Sequence, residues 1–145
     1  MKDMENKPPW KFARANYNHL SRVYDFLANG SEGKFIRAAL QLLNAKEGDQ
    51  ILEIGPGTGH AVLSLALSVG DKGRIFGVDI SDRMLRISKA RVKDKRIPDR
   101  VQFQVGDAAA LPFRDSYFDA IFMSFTYELF ENQTGERYCW NADGF

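Results

Sequence analysis

A single cysteine, Cys139, in 145 residues leaves no disulfide framework and no cysteine spacing for zinc, which predicts a reducing cytoplasm as the compartment. No apolar run approaches the roughly 20 residues needed to cross a bilayer. The opening "MKDMENKPPWK" is too polar and too acidic for a secretory signal, so "NQT" at Asn132 reads as a chance match to a glycosylation acceptor. Charge of one sign is lacking too. Twenty basic residues face nineteen acidic ones, a net charge of +1, which predicts no nucleic-acid partner. The one local excess, "KARVKDKR" at residues 89–96, reads as a solvated helix end, where cations suit the negative end of the dipole. What is present is an ordinary globular composition, 44% hydrophobic and 27% charged, long enough for one domain with a core.

The chain divides into an arm over residues 1–16, a domain over 17–130 and an irregular tail over 131–145. Prolines 8 and 9 in "KPPW" keep regular structure out of the arm. "YNHLSRVYDFL" has apolar residues at helical spacing, and "ANGSEG" breaks it. Phe35, Ala38, Ala39, Leu42 and Leu43 then mark one face of an amphipathic helix that is expected to stop at Gly48. From there strand and helix patterns alternate: "QILEI", "HAVLSLALSV", "GRIFGVDI", "SDRMLRISKARVKD", "DRVQFQV" and, after a turn-rich stretch, "YFDAIFMSF". Ser81 is the expected N-cap of the second of these helices, with Asp82 in its first turn. Such alternation predicts a Rossmann-like, doubly wound parallel α/β sheet in the order 3-2-1-4.

"ILEIGPGTGH" is the most informative stretch. Three alternate glycines, Gly55, Gly57 and Gly59, sit between the first strand and the first helix of the alternating pattern, at the sheet edge where such folds bind ligands. Gly55 permits a tight turn, Gly57 lets the backbone approach a ligand, Gly59 allows close helix packing, and the helix start adds amide donors. An ordinary glycine-rich turn would look the same in isolation. Asp79 ends the second strand 20 residues after Gly59, where a carboxylate can accept from both ribose hydroxyls of an adenosine; the plainer alternative is a helix cap. Asp107 follows the third strand, either as an acceptor for an adenine amino group or as a turn residue. The dinucleotide fingerprint needs its third glycine one residue later than Gly59, which argues against NAD.

With Glu53 two residues before the first glycine, E-x-G-x-G-x-G resembles motif I of the class I S-adenosylmethionine-dependent methyltransferases. "GVDIS", "GDAAALPF" and "RDSYFDAIFMSF" extend the resemblance. It is most similar to the small-molecule group that includes the ubiquinone and menaquinone C-methyltransferases, and "NYNHLSRVYDFL" is similar to their amino-terminal helix. The resemblance covers about residues 17–130 and implies a small-molecule methyl acceptor. It implies that Glu53 supports the methionine amino group and that Gly55, Gly57 and Gly59 line the methionine part. Asp79 would bind the ribose, Ile80 would pack on the adenine, and Asp107 with Ala108 would hold the adenine edge. Ser124 and Phe125 would face the methyl donor. No catalytic base and no metal ligand is assigned; Tyr17, His19 and Tyr24 could reach a site from the amino-terminal helix but are expected to pack or lie at the surface.

After "MSFTYELF" the resemblance stops. Members of this group run on into further strands and helices, with a glycine-pair turn before the fifth strand, whereas "ENQTGERYCWNADGF" has neither strand period nor glycine pair. The expectation is a domain truncated after its fourth strand, whose apolar edge, with Phe122, Met123, Phe125 and Phe130, invites self-association.

Overall fold

The computed structural model describes residues 31–124. The expected arm, the amino-terminal helical pattern with Tyr17, His19 and Tyr24, the residues Phe125 and Phe130, and the tail lie outside the described residues.

Apolar patterning sets the elements in chain order: α1 (Ser31–Leu43), β1 (Gln50–Ile54), α2 (His60–Ser68), β2 (Arg74–Asp79), α3 (Asp82–Asp94), β3 (Val101–Val105) and β4 (Ala120–Met123). Short 3₁₀ turns at Pro98–Arg100 and Ala108–Ala110 flank β3. The four strands form one parallel sheet in the order β3-β2-β1-β4, as the alternation predicts. Ile51 pairs with Ile75 on one side and Ala120 on the other, and Ile75 pairs with Val101. The chain therefore winds outward from β1 to β2 and β3, then returns to place β4 on the opposite flank. That reversal is the topological switch point, and it opens a crevice at the carboxyl end of β1.

Alternation along each strand sends side chains to opposite faces. Ile51, Ile75 and Val101 lie beneath the helices, packed with Ala61, Val62, Leu65, Ala66 and Val69 of the α2 region and Val92 of α3. Leu52, Ile54 and Val78 face the other way, against Phe76, Leu111, Phe113, Phe118, Ile121 and Met123. α3 begins as its sequence predicts, with the Ser81 hydroxyl accepting from the Met84 amide at 3.2 Å and Asp82 in the first turn. Arg91 and Lys93 fall in its last turn, as expected of the basic run.

Two expectations for α1 are corrected. The residues packed inward are Ile36, Ala39, Leu40 and Leu43, while Phe35 and Leu42 are 67% and 87% exposed and Ala38 is exposed with them. This helix carries two apolar i, i+3, i+4, i+7 series offset by one residue, so periodicity alone does not rank them; packing against α2 does. The helix also stops earlier than Gly48. Asn44, at a φ of 51°, supplies the left-handed turn, a conformation asparagine tolerates better than most residues, and Gly48 instead shapes the following turn, its N–H donating to the Val69 carbonyl at 2.9 Å. β4 is shorter than its apolar pattern, covering Ala120–Met123, and it pairs only with β1 among the described residues.

Candidate functional site

The crevice at the switch point is built from the turn that joins β1 to α2. Gly55 extends the parallel pairing by one step, its N–H donating to the Val78 carbonyl at 2.8 Å. At Gly57, φ is 54°, and a Cβ would meet nothing within 4 Å, so the backbone there borders open space. Gly59 is the opposite case. A Cβ on it would lie 2.7 Å from the Ser88 hydroxyl oxygen and 3.1 Å from the Ser88 Cα, so the missing side chain is what lets α3 lie against the turn.

Asp79 closes the arrangement. One of its carboxylate oxygens accepts from the Gly57 N–H at 3.2 Å and the other from the Ser81 N–H at 2.8 Å. The turn, the end of β2 and the start of α3 are thus held by one side chain, and each oxygen keeps lone-pair capacity for a further donor. Ser88 ties the same turn from the middle of α3, its hydroxyl donating to the Gly57 carbonyl at 2.8 Å.

Glu53 continues the helix-covered side of β1 and is only 1% exposed. Its Oε2 has no hydrogen-bond partner among the described residues. Burial, and then the nearby charge of Asp79, push its pKa from 4.5 to about 8. Burial also raises Asp79, from 3.8 to about 6, against the opposing pull of the N–H donors of Ser81, Gly57 and Ile80. Both carboxyls are therefore harder to ionise than free ones, and Glu53, which lacks the N–H donors that face Asp79, favours its protonated form the more strongly. A buried acid with a free oxygen near a second carboxylate is suited to a polar, cationic group, which would favour loss of its proton.

The other candidates fall at the same edge. Asp107 lies two residues past β3, and the preceding Gly106 N–H donates to the Asp79 carbonyl at 3.0 Å. Its carboxylate accepts from the Ala109 N–H at 2.9 Å, which makes it the cap of the 3₁₀ turn. Ala108 is half-buried against the Leu52, Ile54 and Val78 cluster, and Ile80 is half-buried between Asp79 and Ser81. Ser124 follows Met123, which is paired with Ile54, so it sits level with the start of the glycine turn. The fold thus gathers Glu53, Gly55, Gly57, Gly59, Asp79, Ile80, Asp107, Ala108 and Ser124 at one edge of the sheet. Ser88 was not among the residues the sequence suggested. A small residue on α3 opposite Gly59 is its only signal, and that pairing emerges only when α3 packs. Among the described residues no group of three metal-binding side chains occurs and no helix is long and apolar enough to cross a membrane.

The pattern of the family described as "Methyltransferase domain" matches residues 51–142 of this chain. The chain belongs to this methyltransferase family. Its sheet order and helix placement are those of the class I, Rossmann-like methyltransferases, whose cofactor is S-adenosylmethionine. The chain is 34% identical over 101 residues to the ubiquinone/menaquinone biosynthesis C-methyltransferase UbiE of Azotobacter vinelandii, covering 70% of this chain and 40% of that protein. It therefore spans well under half the length of this curated relative. Its fold is similar to that of a crystal structure of a SAM-dependent methyltransferase from Aquifex aeolicus, with a TM-score of 0.67, 23% identity, and coverage of 78% of this chain and 61% of the other. The same sheet also occurs in the [4+2]-cyclase SpnF, with a TM-score of 0.66 at 19% identity, covering 79% of this chain and 48% of that one.

Proposed function

We propose that these residues form the cofactor-binding portion of an S-adenosylmethionine-dependent methyltransferase acting on a small molecule. One observation carries the reading: the glycine turn is hydrogen-bonded to Asp79 at the switch point, and Asp79 acts electrostatically on a buried Glu53 whose Oε2 has no partner among the described residues. The residues fit the cofactor. The open side of Gly57 accommodates its methionine part along with Gly55 and Gly59, and the free Glu53 oxygen suits its amino group. The spare lone pairs of Asp79 suit the ribose hydroxyls, Ile80 would pack on the adenine, and Asp107 with Ala108 would meet the adenine edge. Ser124 would lie on the methyl-donor side.

When bound, the cofactor supplies a methyl group on a sulfonium centre. The protein's part is to fix the geometry of an in-line displacement and to keep water out, which can account for much of the rate. A base is required only if the acceptor must lose a proton, and we assign none. The name of the Azotobacter relative makes quinone precursors the first acceptors to try. The remaining proposals follow the sequence: a domain over residues 17–130, a cytoplasmic location, and self-association through the β4 edge.

Calorimetric titration with S-adenosylhomocysteine, followed by radiolabelled methyl transfer to an acceptor panel, tests the proposal. Absence of cofactor binding, or tighter binding of NAD, would remove it. A second reading, cofactor binding without turnover, draws support from the unpaired outer side of β4 among the described residues. The cyclase likeness shows only that this fold does not by itself specify methyl transfer. Binding with an acceptor panel at background would favour that reading.

A further inference from the structure

We propose that Ser88, in the middle of α3, is a positioning residue for the glycine turn, setting the direction of the amides offered to the amino-acid portion of the cofactor. The inference rests on the cofactor reading above and deepens it. Ser88 is 0% exposed, and its hydroxyl donates at 2.8 Å to the carbonyl of Gly57, 31 residues earlier in the chain. A serine inside a helix commonly returns its hydroxyl to the carbonyl four residues back, so a bond across to another element is a use that packing has to arrange.

The geometry gives that bond a consequence. A trans peptide is planar, with its N–H directed opposite to its C=O. Drawing the Gly57 carbonyl toward α3 therefore turns the Thr58 N–H away from α3. The N–H on the other side of Gly57 is already committed to Asp79 at 3.2 Å. Two hydrogen bonds thus fix both peptides around the residue with the most freedom to rotate, a glycine at a φ of 54°. Gly59 is the other half of the device: with any Cβ there, the Ser88 hydroxyl would be displaced from a position only 2.7 Å away. The N-cap of α3 also supplies the Ser81 N–H to Asp79 at 2.8 Å, so this helix and its cap hold the turn and the carboxylate in a fixed relation.

Ser88→Ala removes the donor and leaves the Gly57 carbonyl free to swing while the fold's apolar contacts stay in place. The test is calorimetry on the full 145-residue chain with two ligands, S-adenosylhomocysteine and 5′-methylthioadenosine, the second lacking the amino-acid portion. Ser88→Ala should weaken the first by about 5- to 20-fold, the scale of one hydrogen bond and the order it imposes, and the second by less than about 2-fold. Equal weakening of both ligands would indicate a general structural role and overturn the inference, as would unchanged affinity for both. If the wild-type chain binds neither ligand, the cofactor reading fails first and this inference with it. Hydrogen exchange on the wild-type chain gives a measurement that needs no variant. Adding S-adenosylhomocysteine should slow exchange in residues 55–59 and in α3 around Ser88 together; protection of the turn without α3 would overturn the proposal.

Discussion

On one face of the sheet Ile51 and Ile75 are wholly buried beneath helices, whereas on the other the buried set is Leu52, Ile54 and Val78, covered mainly by side chains from the segment 106–119. The cover on that second face is largely aromatic. Phe76, Phe113, Tyr117 and Phe118 meet mostly edge to face at centroid distances of 4.7 to 5.7 Å, and the Arg114 guanidinium lies 5.8 Å from the Tyr117 ring. Such pairs add about 0.5–1.5 kcal/mol each beyond the area they bury. Glu53 continues the helix-covered side, and Ser88 reaches the glycine turn from a helix of that side. The lesson is that the proposed cofactor edge is anchored in the part of the molecule that is packed most completely.

Core truncations are the strongest way to break that comparison. Ile75→Ala, at a fully buried position on the helix-covered face, should cost about 3–5 kcal/mol, whereas Phe113→Ala, half-buried on the other face but in three ring pairs, should cost about 2–3 kcal/mol. Urea unfolding of both variants measures the difference. Equal losses would mean that the aromatic cover is as integral as the helical one.

The next largest effect concerns Asp79. Asp79→Ala should weaken S-adenosylhomocysteine by about 1.5–3 kcal/mol, roughly 10- to 150-fold, because hydrogen bonds to a charged acceptor are worth that much. It also releases the Gly57 and Ser81 amides. Unchanged affinity by calorimetry would remove Asp79 from the site.

Much of this edge was legible in the sequence because the constraints are local. A glycine in the left-handed region, a serine before a helix and an acidic residue at a strand end each act within a few residues of themselves, and Gly59, Ser81 and Asp79 are where the pattern put them. The strand order followed from the alternation of elements. α1 was harder: its two apolar series are equivalent until α2 supplies a surface, so Phe35 was assigned to the wrong side. Ser88 was invisible for the same reason. Its role depends on a contact spanning 31 residues, and no local rule encodes that distance.

Titration sharpens the comparison through Glu53. The folded chain holds this proton to about pH 8, while an unfolded chain loses it near 4.5, so between those values the folded state carries more protons and rising pH favours unfolding. The stabilising contribution is full below 4.5 and gone above about 8. Asp79 acts in the same direction between 3.8 and about 6, which leaves the upper part of the window to Glu53. Stability should fall by up to about 1.4 kcal/mol per pH unit between roughly pH 6 and 8. Glu53→Gln, a neutral isostere, should flatten that slope. Cofactor binding at pH 7 should also release close to one proton from the wild-type chain and almost none from Glu53→Gln, measured by calorimetry in buffers of different ionisation enthalpy. A slope and a proton count identical in the two proteins would show that Glu53 is already ionised.

The smallest effect separates two roles that Asp107 can hold at once. Its carboxylate caps the 3₁₀ turn through the Ala109 N–H at 2.9 Å, and it stands at the edge where an adenine amino group would be met. Serine is as good a cap as aspartate, but its side chain is shorter by the reach of a carboxylate. Asp107→Ala should therefore cost about 0.5–1 kcal/mol of stability and a few-fold in S-adenosylhomocysteine affinity, on the scale of one cap and one weak hydrogen bond. Asp107→Ser should recover the stability and leave the affinity low. If serine restores both, the residue acts only through the turn. If the affinity loss persists with S-adenosylhomocysteine but vanishes with an analogue lacking the adenine amino group, the carboxylate meets the base directly, and the open end of β3 belongs to the site as fully as the glycine turn does.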